Sequence, residues 1–303
     1  MNKEILLKKL NTVESLASSR WRRLLHHPLK YAYAIFFTKI IYPKTKKEIR
    51  KNASLFYSET MKLDLPAATD IYLTGGKSHA SEIRLARFLI LNLSSGSRFL
   101  DIGAHYGYFS LLASELVGTT GKVSAFEPAD KSFALLQENS TRKSNITTFK
   151  KAVSDTAGKL TFFEFPTLYS EYNSLDAAQF SNEAWFSEFK PVTVEVPATT
   201  IDAITGEASF IPDLIKIDVE GAEYKAMLGG VRFFQAHAPV VVMEYLTPAR
   251  RNGEHKKAVQ LLTELGYLPH VILQSGNIEP VGDIDQYLAA HQLESDNIVL
   301  KKL

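Results

Sequence analysis

The sequence predicts an α/β protein, in which a mostly parallel, Rossmann-like sheet carries helices on both faces and follows an N-terminal helical extension. The chain has 303 residues, of which 45% are hydrophobic and 22% are charged, a balance typical of soluble globular proteins. From about residue 80 onward, short apolar runs alternate with amphipathic segments, which is the pattern of a parallel sheet covered on both faces. The chain contains no cysteine, which excludes disulfides, Cys-ligated zinc, iron–sulfur clusters and thiol nucleophiles.

Two regions of the chain differ in charge and define the expected domain division. Residues 1–51 hold 13 Lys or Arg and three Asp or Glu, a net charge of +10, whereas the remainder holds 22 and 30, a net charge of −8. We therefore expect a basic, helical extension over residues 1–60 and one α/β domain over residues 61–303. Residues 61–80 read as a connection with a turn at Thr74-Gly75-Gly76.

An aromatic, apolar run from Tyr31 to Tyr42 lies inside the basic extension. It is 12 residues long and contains Lys39, so it is too short to cross a bilayer, which takes about 20 apolar residues. We expect the run to pack on the α/β body; the alternative is a helix lying on a membrane, which its basic flank would favour. The start of the chain shows no signal peptide, so we expect a cytoplasmic protein, either free or peripheral on the inner membrane face.

Hydrophobic periodicity predicts the elements of the α/β domain. Helices are predicted at residues 80–93, 106–116, 129–140, 222–236 and 254–265. Strands are predicted at residues 98–103, 122–127, 146–153, 159–165, 191–198, 214–218, 239–245, 268–273 and 297–301. Open parallel sheets bind ligands beyond the carboxyl ends of their strands, so chemistry is expected just after these strands.

The first candidate site is the loop that follows the strand at residues 98–103. Gly103 and Gly107 allow a tight turn, and the next helix begins with unpaired N–H groups that face a ligand. A dinucleotide-binding loop would carry glycine where Asp101 stands, and a carboxylate there repels a pyrophosphate. The same carboxylate suits a cationic ligand, such as a sulfonium or an ammonium.

The next two strands also end in polar residues. Glu127 closes one of them, 24 residues after Gly103, where an acid in a mononucleotide-binding fold holds the ribose hydroxyls. The other strand ends at Val153 and is followed by Asp155. A carboxylate at this place can accept a hydrogen bond from an adenine amino group. Ser-Asp followed by Thr-Ala-Gly is also good turn chemistry, so the structural role of Asp155 stays open.

The last candidate site is a group of carboxylates. Asp218, Glu220 and Glu223 fall within six residues at a strand end, and Glu244 is the only charge in the apolar run that begins at Pro239. Glu220 and Glu223 are three residues apart, which favours a shared helix face. Crowded carboxylates raise at least one pKa or attract a cation.

These sites together resemble the FkbM family of S-adenosylmethionine-dependent methyltransferases. The resemblance covers roughly residues 80–301 and rests on the following segments: FLDIGAHYGYFS, VSAFEP, the helix with Asn139, AVSD, Thr200-Ile201-Asp202, LIKIDVEGAE with Leu228-Gly229-Gly230, and VVVMEY. It implies a seven-stranded class I methyltransferase sheet with the last strand antiparallel. It also implies methyl transfer, usually to a hydroxyl oxygen, with sugars and natural products as the acceptors of most members.

The resemblance also implies roles for individual residues. The residues expected to hold S-adenosylmethionine are Asp101, Gly103, Ala104, Tyr106, Gly107, Glu127, Pro128, Val153, Asp155 and Asp218. The candidate catalytic bases are Glu220, Glu223, Glu244 and His105. No metal ligand is assigned, although Asp218, Glu220 and Glu244 could hold Mg²⁺ as in a related class of O-methyltransferases.

Two departures from the family pattern concern the acceptor side. His105 stands where many members carry Asn. The segment 166–190 is longer than expected, and we predict that this insertion shapes the acceptor site. The expected partner is a small-molecule or carbohydrate acceptor and not nucleic acid, and the oligomeric state is left open.

Two other functions compete with methyl transfer. A nicotinamide-dependent oxidoreductase would use the same fold, but it needs the pyrophosphate loop that Asp101 disrupts. A non-catalytic module that binds S-adenosylmethionine could use the basic extension to hold a membrane or nucleic acid. Such a module predicts that the acidic crevice is incidental.

Overall fold

The structure is a computed structural model that describes residues 2–207 and 210–302. The helices are α1 Lys3–Ala17, α2 Arg20–His26, α3 Pro28–Phe36, α4 Tyr42–Thr45, α5 Thr69–Thr74, α6 Ala80–Asn92, α7 Tyr108–Val117, α8 Asp130–Ser140, α9 Ile201–Glu207, α10 Glu223–Leu228, α11 Val231–Ala236, α12 Gly253–Glu264 and α13 Ile284–Ala290. A π-helical turn, Phe37–Ile41, joins α3 to α4, and 3₁₀ turns lie at Thr167–Tyr172, Ala177–Phe180 and Pro248–Arg250.

The strands form three sheets. They are β1 Ile49–Ser54, β2 Thr60–Leu65, β3 Arg98–Ile102, β4 Lys122–Phe126, β5 Ile146–Phe149, β6 Ala152–Val153, β7 Gly158–Glu164, β8 Val192–Thr199, β9 Leu214–Ile217, β10 Val240–Leu246, β11 Tyr267–Ile272, β12 Ile278–Pro280 and β13 Ser295–Lys302. The main sheet has the order β12-β11-β13-β10-β9-β3-β4-β5. β1 and β2 form a hairpin, and β6, β8 and β7 form a small third sheet.

The main sheet confirms the predicted Rossmann-like architecture. Strands β10, β9, β3, β4 and β5 are parallel, and the last strand, β13, runs antiparallel to both of its neighbours. The three-residue β12 adds an eighth strand at the edge to the seven that were expected. From β3 the chain first builds toward β5 and later returns to β9, so the topological switch point lies between β3 and β9. A crevice opens there, beyond the carboxyl ends of the strands.

The central strands are apolar because helices cover both faces of the sheet. In β9 every residue of the run Leu-Ile-Lys-Ile is buried, including Lys216. One core cluster packs α1, α6 and α7 against one face, and a second packs α10, α11 and α12 against the other.

The structure corrects three predictions for the α/β domain, and the first is the connection expected at residues 61–80, which contains most of β2 and all of α5. The strand expected at residues 146–153 is two strands, because β5 belongs to the main sheet and β6 turns away to pair with β8. The helix expected at 222–236 breaks at Gly229-Gly230 into α10 and α11. A side chain at Gly229 would place its Cβ atom 2.0 Å from the Ser154 carbonyl oxygen, so this break brings the helix pair against the loop after β6.

The N-terminal region is helical only as far as Thr45. The prediction of helix throughout residues 1–60 is wrong from Ile49 onward, where β1 pairs with β2 in an antiparallel hairpin. Arg50 and Asp64 are opposite each other in the register of the hairpin. An ion pair between them, with Arg50 Nε 3.0 Å from Asp64 Oδ1, stabilises the hairpin. Because β1 contains only two apolar residues, Ile49 and Ala53, which are four positions apart, its periodicity is ambiguous in the sequence. The division of the chain at residue 60 stays a prediction.

The extension packs on the α/β body through one of its faces. Leu6, Leu10 and Val13, spaced by four and three residues along α1, are at most 1% exposed and share a core cluster with α6. Phe37 and Tyr42 are buried in the same cluster, so the expected packing of the aromatic run is confirmed for this face. Within the described part of the chain, no helix is long and apolar enough to cross a membrane.

We predict that Leu10→Ala lowers the free energy of unfolding by about 2–5 kcal/mol, because it leaves a cavity between the extension and the body. The matched control is Ile5→Ala on the same helix, where the side chain is 52% exposed and the cost should stay within about 0.5 kcal/mol. Urea unfolding measures both changes. Equal stability of the two variants would show that the extension does not share the core of the body.

Candidate active site

Two adjoining cavities occupy the crevice at the carboxyl ends of β3, β4, β9 and β10. The first has a volume of about 330 Å³ and the second about 280 Å³. Both are lined by Gly103, His105 and Asp218, so they meet at the loop after β3. The crevice therefore lies where the topology of an open parallel sheet places a ligand.

The loop after β3 is shaped by close backbone contacts. Gly103 has a φ angle of +76°, and a Cβ atom at this position would lie 1.8 Å from the Asp218 carbonyl oxygen. Only glycine fits this approach of the loop to the end of β9. The N–H groups of Gly103 and Ala104 both donate to the Phe126 carbonyl oxygen, at 3.0 and 2.9 Å. The loop is thus held between the ends of β4 and β9.

A buried ammonium group links two of the predicted carboxylates. Lys216 Nζ lies 3.4 Å from Asp101 Oδ1 and 3.3 Å from Asp218 Oδ2, and it donates to the Gly103 carbonyl oxygen at 3.2 Å. Asp101 is fully buried, and its other oxygen accepts from the Ser110 hydroxyl at 2.6 Å. Asp101 lines neither cavity, so its geometry supports holding Lys216 in place rather than touching a ligand.

Sequence reasoning missed Lys216. The signal was present, since a lysine inside the apolar run Leu-Ile-Lys-Ile must be paired when its strand is central in a sheet. Its two acidic partners raise its pKa against the opposing effect of burial, so the group stays charged. Asp101 was expected to face a cationic ligand. In the structure, the cation next to Asp101 is Lys216.

Glu127 faces the first cavity from the end of β4. Its Oε2 accepts from the His105 N–H at 2.9 Å and its Oε1 from the Ala129 N–H at 3.0 Å. Burial raises the pKa of Glu127 to about 7, although the two backbone N–H donors act in the opposite direction. Each carboxylate oxygen accepts several hydrogen bonds, so capacity for ligand hydroxyls remains. Pro128 and Val153 line the same cavity.

His105 is half-buried and neutral in this environment. Burial lowers its pKa to about 3, and the nearby cations Lys77 and Lys216 lower it further. Its Nε2 atom lies 2.9 Å from the Ser170 hydroxyl, and its ring stacks on Tyr106 with centroids 3.7 Å apart. A histidine with so low a pKa is a weak proton acceptor, so this geometry does not support His105 as the catalytic base.

Three carboxylates meet in the first cavity. Asp218, Glu220 and Glu244 each offer an oxygen within 4.8 Å of the others. Burial and the charge of Asp218 raise the pKa of Glu244 to about 8, and burial together with Glu244 and Asp218 raises the pKa of Glu220 well above its usual value. Mutual repulsion at this distance favours the protonated form of at least one member of the group.

The side chain of Glu223 binds backbone groups of the loop before α10 and does not line the cavity. It is 1% exposed, it accepts from the N–H groups of Val219 and Gly221 at 3.1 Å each, and it lies 3.3 Å from His255 Nε2. The expected shared helix face with Glu220 is wrong, because Glu220 precedes α10 and has a φ angle of +52°. The catalytic role predicted for Glu223 finds no support in this position.

The remaining predicted residues divide between the cavities and their surroundings. Ala104 and Tyr106 line only the second cavity, and Gly107 caps α7 with a φ angle of +89°. Asp155 is exposed and lines neither cavity, so the adenine contact predicted for its side chain finds no support.

The segment 166–190 contributes a wall of the first cavity. Five residues of the segment line this cavity: Ser170, Glu171, Tyr172, Asn173 and Leu175. Behind them, Trp185 packs against Phe165, Tyr169, Tyr172 and Phe180 with ring centroids 4.3–6.0 Å apart. This aromatic cluster gives the segment a small core of its own. Lys77 and Arg250 also line the cavity, and no sequence pattern indicated either of them.

Comparison with known proteins agrees with this architecture. A family model, the methyltransferase FkbM domain, matches residues 101–269, which is more than half of the chain. The chain therefore belongs to the FkbM methyltransferase family. No curated protein matches it.

Several solved structures are similar to the chain at low sequence identity. A methyltransferase FkbM from Methylobacillus flagellatus KT is 15% identical with a TM-score of 0.46, and the match covers 77% of this chain and 52% of that one. The chain thus spans about half the length of that protein. A SAM-dependent O-methyltransferase from Thermotoga maritima is 14% identical, with a TM-score of 0.37 and coverages of 73% and 64%. Aeropyrum pernix fibrillarin with bound S-adenosyl-L-methionine is 13% identical, with a TM-score of 0.40 and coverages of 73% and 74%.

We predict that Lys216→Met lowers the free energy of unfolding by about 3–5 kcal/mol, because it leaves two carboxylates without their buried cation. The control Lys62→Met removes a lysine that pairs with Glu138 at the surface and should cost at most about 1 kcal/mol. Adding Asp101→Asn to Lys216→Met should restore part of the lost stability. Chemical denaturation of the variants measures these changes, and a Lys216→Met protein as stable as the control would contradict the assignment.

Proposed function

We propose that this protein transfers the methyl group of S-adenosylmethionine to a hydroxyl oxygen of a small-molecule or carbohydrate acceptor. The proposal rests on the family of the chain and on one observation. Glu127, which suits a ribose, and Glu244, which has the raised pKa of a proton acceptor, line the same cavity. Cofactor and base therefore face one space in which an acceptor can meet the methyl group.

The residues that line the first cavity are of the chemical types that S-adenosylmethionine needs. The carboxylate of Glu127 can accept from the ribose hydroxyls, and Val153 with Phe126 offers an apolar wall for adenine. Phe126 is itself fixed by stacking on Phe149, with ring centroids 4.6 Å apart. The carboxylates of the first cavity provide the negative potential that a cationic sulfonium requires.

The cofactor supplies an activated methyl group on a leaving group that needs no further assistance. The tasks left to the protein are to orient the acceptor and to remove its hydroxyl proton. Glu244 in its ionised form can accept that proton, and the carboxylate of Glu220 lies beside it. A positive charge brought into the cavity lowers the pKa of both groups, so binding of the cofactor itself prepares the base.

We propose that the reaction needs no metal ion. Three oxygens within 4.8 Å of one another suit a divalent cation in number and type. However, the carboxylate of Asp218 already faces Lys216 Nζ at 3.3 Å, so one of the three candidate ligands is engaged by a protein cation. Magnesium also demands near-ideal octahedral geometry, which a ligand held by a buried lysine does not readily meet.

We predict that Glu127→Gln weakens the binding of S-adenosylhomocysteine at least about tenfold, because it removes charge-assisted hydrogen bonds worth about 1.5–3 kcal/mol each. Affinity of the unaltered protein should rise as the pH increases through about 7, where Glu127 ionises, and the variant should lose this dependence. Isothermal titration calorimetry measures both effects.

Asp155→Asn is the matched control for this measurement, because Asp155 is an exposed acid outside the cavities and its loss should leave the affinity unchanged. Unchanged affinity in Glu127→Gln would remove the ribose assignment. Tighter binding of NAD than of S-adenosylhomocysteine would instead support the oxidoreductase.

We predict that Glu244→Gln lowers kcat at least about 100-fold, the lower range of what a positioned general base contributes. For the unaltered enzyme kcat/KM should rise with pH up to about 8, because the active form of a carboxylate base is the ionised one. The rising limb should be absent in Glu244→Gln. Glu223→Gln, a buried acid outside the cavity, tests whether any loss is specific to the cluster.

Rate measurements in EDTA complete this test. A rate that EDTA leaves unchanged agrees with a metal-independent reaction. Loss of the rate in EDTA and its recovery in Mg²⁺ would assign Asp218, Glu220 and Glu244 to a metal site instead. A Glu244→Gln enzyme with the full rate and the same pH profile would place the base elsewhere.

A further inference from the structure

Exposed large apolar side chains concentrate in one short part of the chain. Within the described residues, 11 large hydrophobic side chains are exposed, and six of them fall between residues 21 and 40. We call these six the arm surface: Trp21, Leu25, Leu29, Ile35, Phe36 and Ile40. Leu29 is 86% exposed and Leu25 is 81% exposed, so the side chains project almost entirely from the body.

Helical spacing places three of these side chains together. Leu29, Phe36 and Ile40 are separated by seven and four residues along α3 and the π-helical turn, so they share one face of a continuous helix. Ala34 and Phe37 lie on a different face of this helix and are buried, Phe37 in the core cluster that it shares with the body. The helix is therefore apolar on both faces, although only one face has a partner in the fold.

The charge around the arm surface has a single sign. Residues 19–47 contain eight Lys or Arg and no Asp or Glu. Among the described residues, only Lys46 of these eight forms an ion pair, with Glu188 at 2.8 Å. Lys39 and Lys44 are exposed beside Phe36 and Ile40. Apolar side chains and uncompensated positive charge thus share one surface.

This combination selects one kind of occupant. A second copy of the chain would bring the same positive charge against itself, which opposes an isologous contact. Nucleic acid would use the positive charge, but four of the six apolar side chains are aliphatic and offer bases no ring on which to stack. A bilayer with anionic headgroups satisfies both properties, because apolar side chains enter the headgroup boundary while the cations remain among the headgroups.

We propose that the arm surface binds the face of an anionic lipid bilayer and holds the protein there as a peripheral protein. The inner face of the same helices stays packed on the body through α1 and α5. Membrane binding therefore requires no unfolding of the extension.

Co-sedimentation of the full chain with vesicles tests the proposal. The protein should pellet with vesicles of phosphatidylcholine containing about one quarter phosphatidylglycerol, and at least about tenfold less with pure phosphatidylcholine. Pelleting should also weaken at least about tenfold when the salt concentration rises from about 0.05 M to about 0.5 M, because salt screens the basic side chains.

A pair of matched variants separates the arm surface from overall charge. Leu25→Glu/Leu29→Glu should weaken vesicle binding at least about tenfold. Val192→Glu/Leu268→Glu introduces the same two charges at exposed apolar positions elsewhere, 64% and 39% exposed, and should change binding less than about twofold. All four positions are exposed, so both proteins should fold, and circular dichroism melting verifies this.

Trp21 provides a spectroscopic test in the same samples. Its emission should shift to shorter wavelength on anionic vesicles, and the shift should be lost in Trp21→Phe but kept in Trp185→Phe, since Trp185 belongs to the aromatic cluster of segment 166–190.

Three results would overturn the proposal. They are failure to pellet with anionic vesicles, equal binding by the two double variants, and a salt-resistant dimer that only Leu25→Glu/Leu29→Glu abolishes. The last result would identify a second copy as the occupant.

Discussion

The candidate site depends on one buried ammonium group. Lys216 reaches from β9 to Asp101 on β3, to Asp218 at the tip of its own strand, and to the carbonyl oxygen of Gly103. These contacts cross the switch point of the sheet, where the crevice opens and where two strand ends must be held in register. Because the charge of Asp101 is compensated inside the protein, the negative potential of the crevice comes from the carboxylates that line it. One lysine thus fixes both the shape of the glycine loop and the distribution of charge around the ligand.

The division of labour among the acids follows from their burial and partners. Glu127 is held by two backbone N–H donors at the end of β4, which fixes its direction while burial raises its pKa to about 7. Glu244 and Glu220 face each other and Asp218, so repulsion raises their pKa values further. Glu223, only three residues after Glu220, accepts hydrogen bonds from backbone N–H groups of the loop that precedes it. Acids of the same chemical type therefore differ in environment because their hydrogen-bond partners differ.

The sequence was sufficient for a mostly parallel sheet and for the strand ends that carry Gly103, Glu127, Asp218 and Glu244, because strand–helix alternation indicates the first and position after a strand indicates the second. It was insufficient where tertiary contacts decide. The role of Lys216 depends on two acids from different strands, and the pairing of β1 with β2 depends on contacts that a six-residue pattern does not encode. The exposure of Asp155 and the outward face of α3 depend on which neighbours cover them. Segment 166–190 was predicted to be near the acceptor, and five of its residues line the first cavity.

The measurement that tests this account most directly is a crystal structure of the protein with S-adenosylhomocysteine. The account predicts ribose hydroxyls that donate to the carboxylate of Glu127, adenine against Val153, and a sulfur atom on the side of the cavity formed by Asp218, Glu220 and Glu244. It also predicts that Lys216 stays between Asp101 and Asp218 in the complex. A ribose bound away from Glu127, or a sulfur atom directed away from the three carboxylates, would contradict the proposed arrangement of cofactor and base.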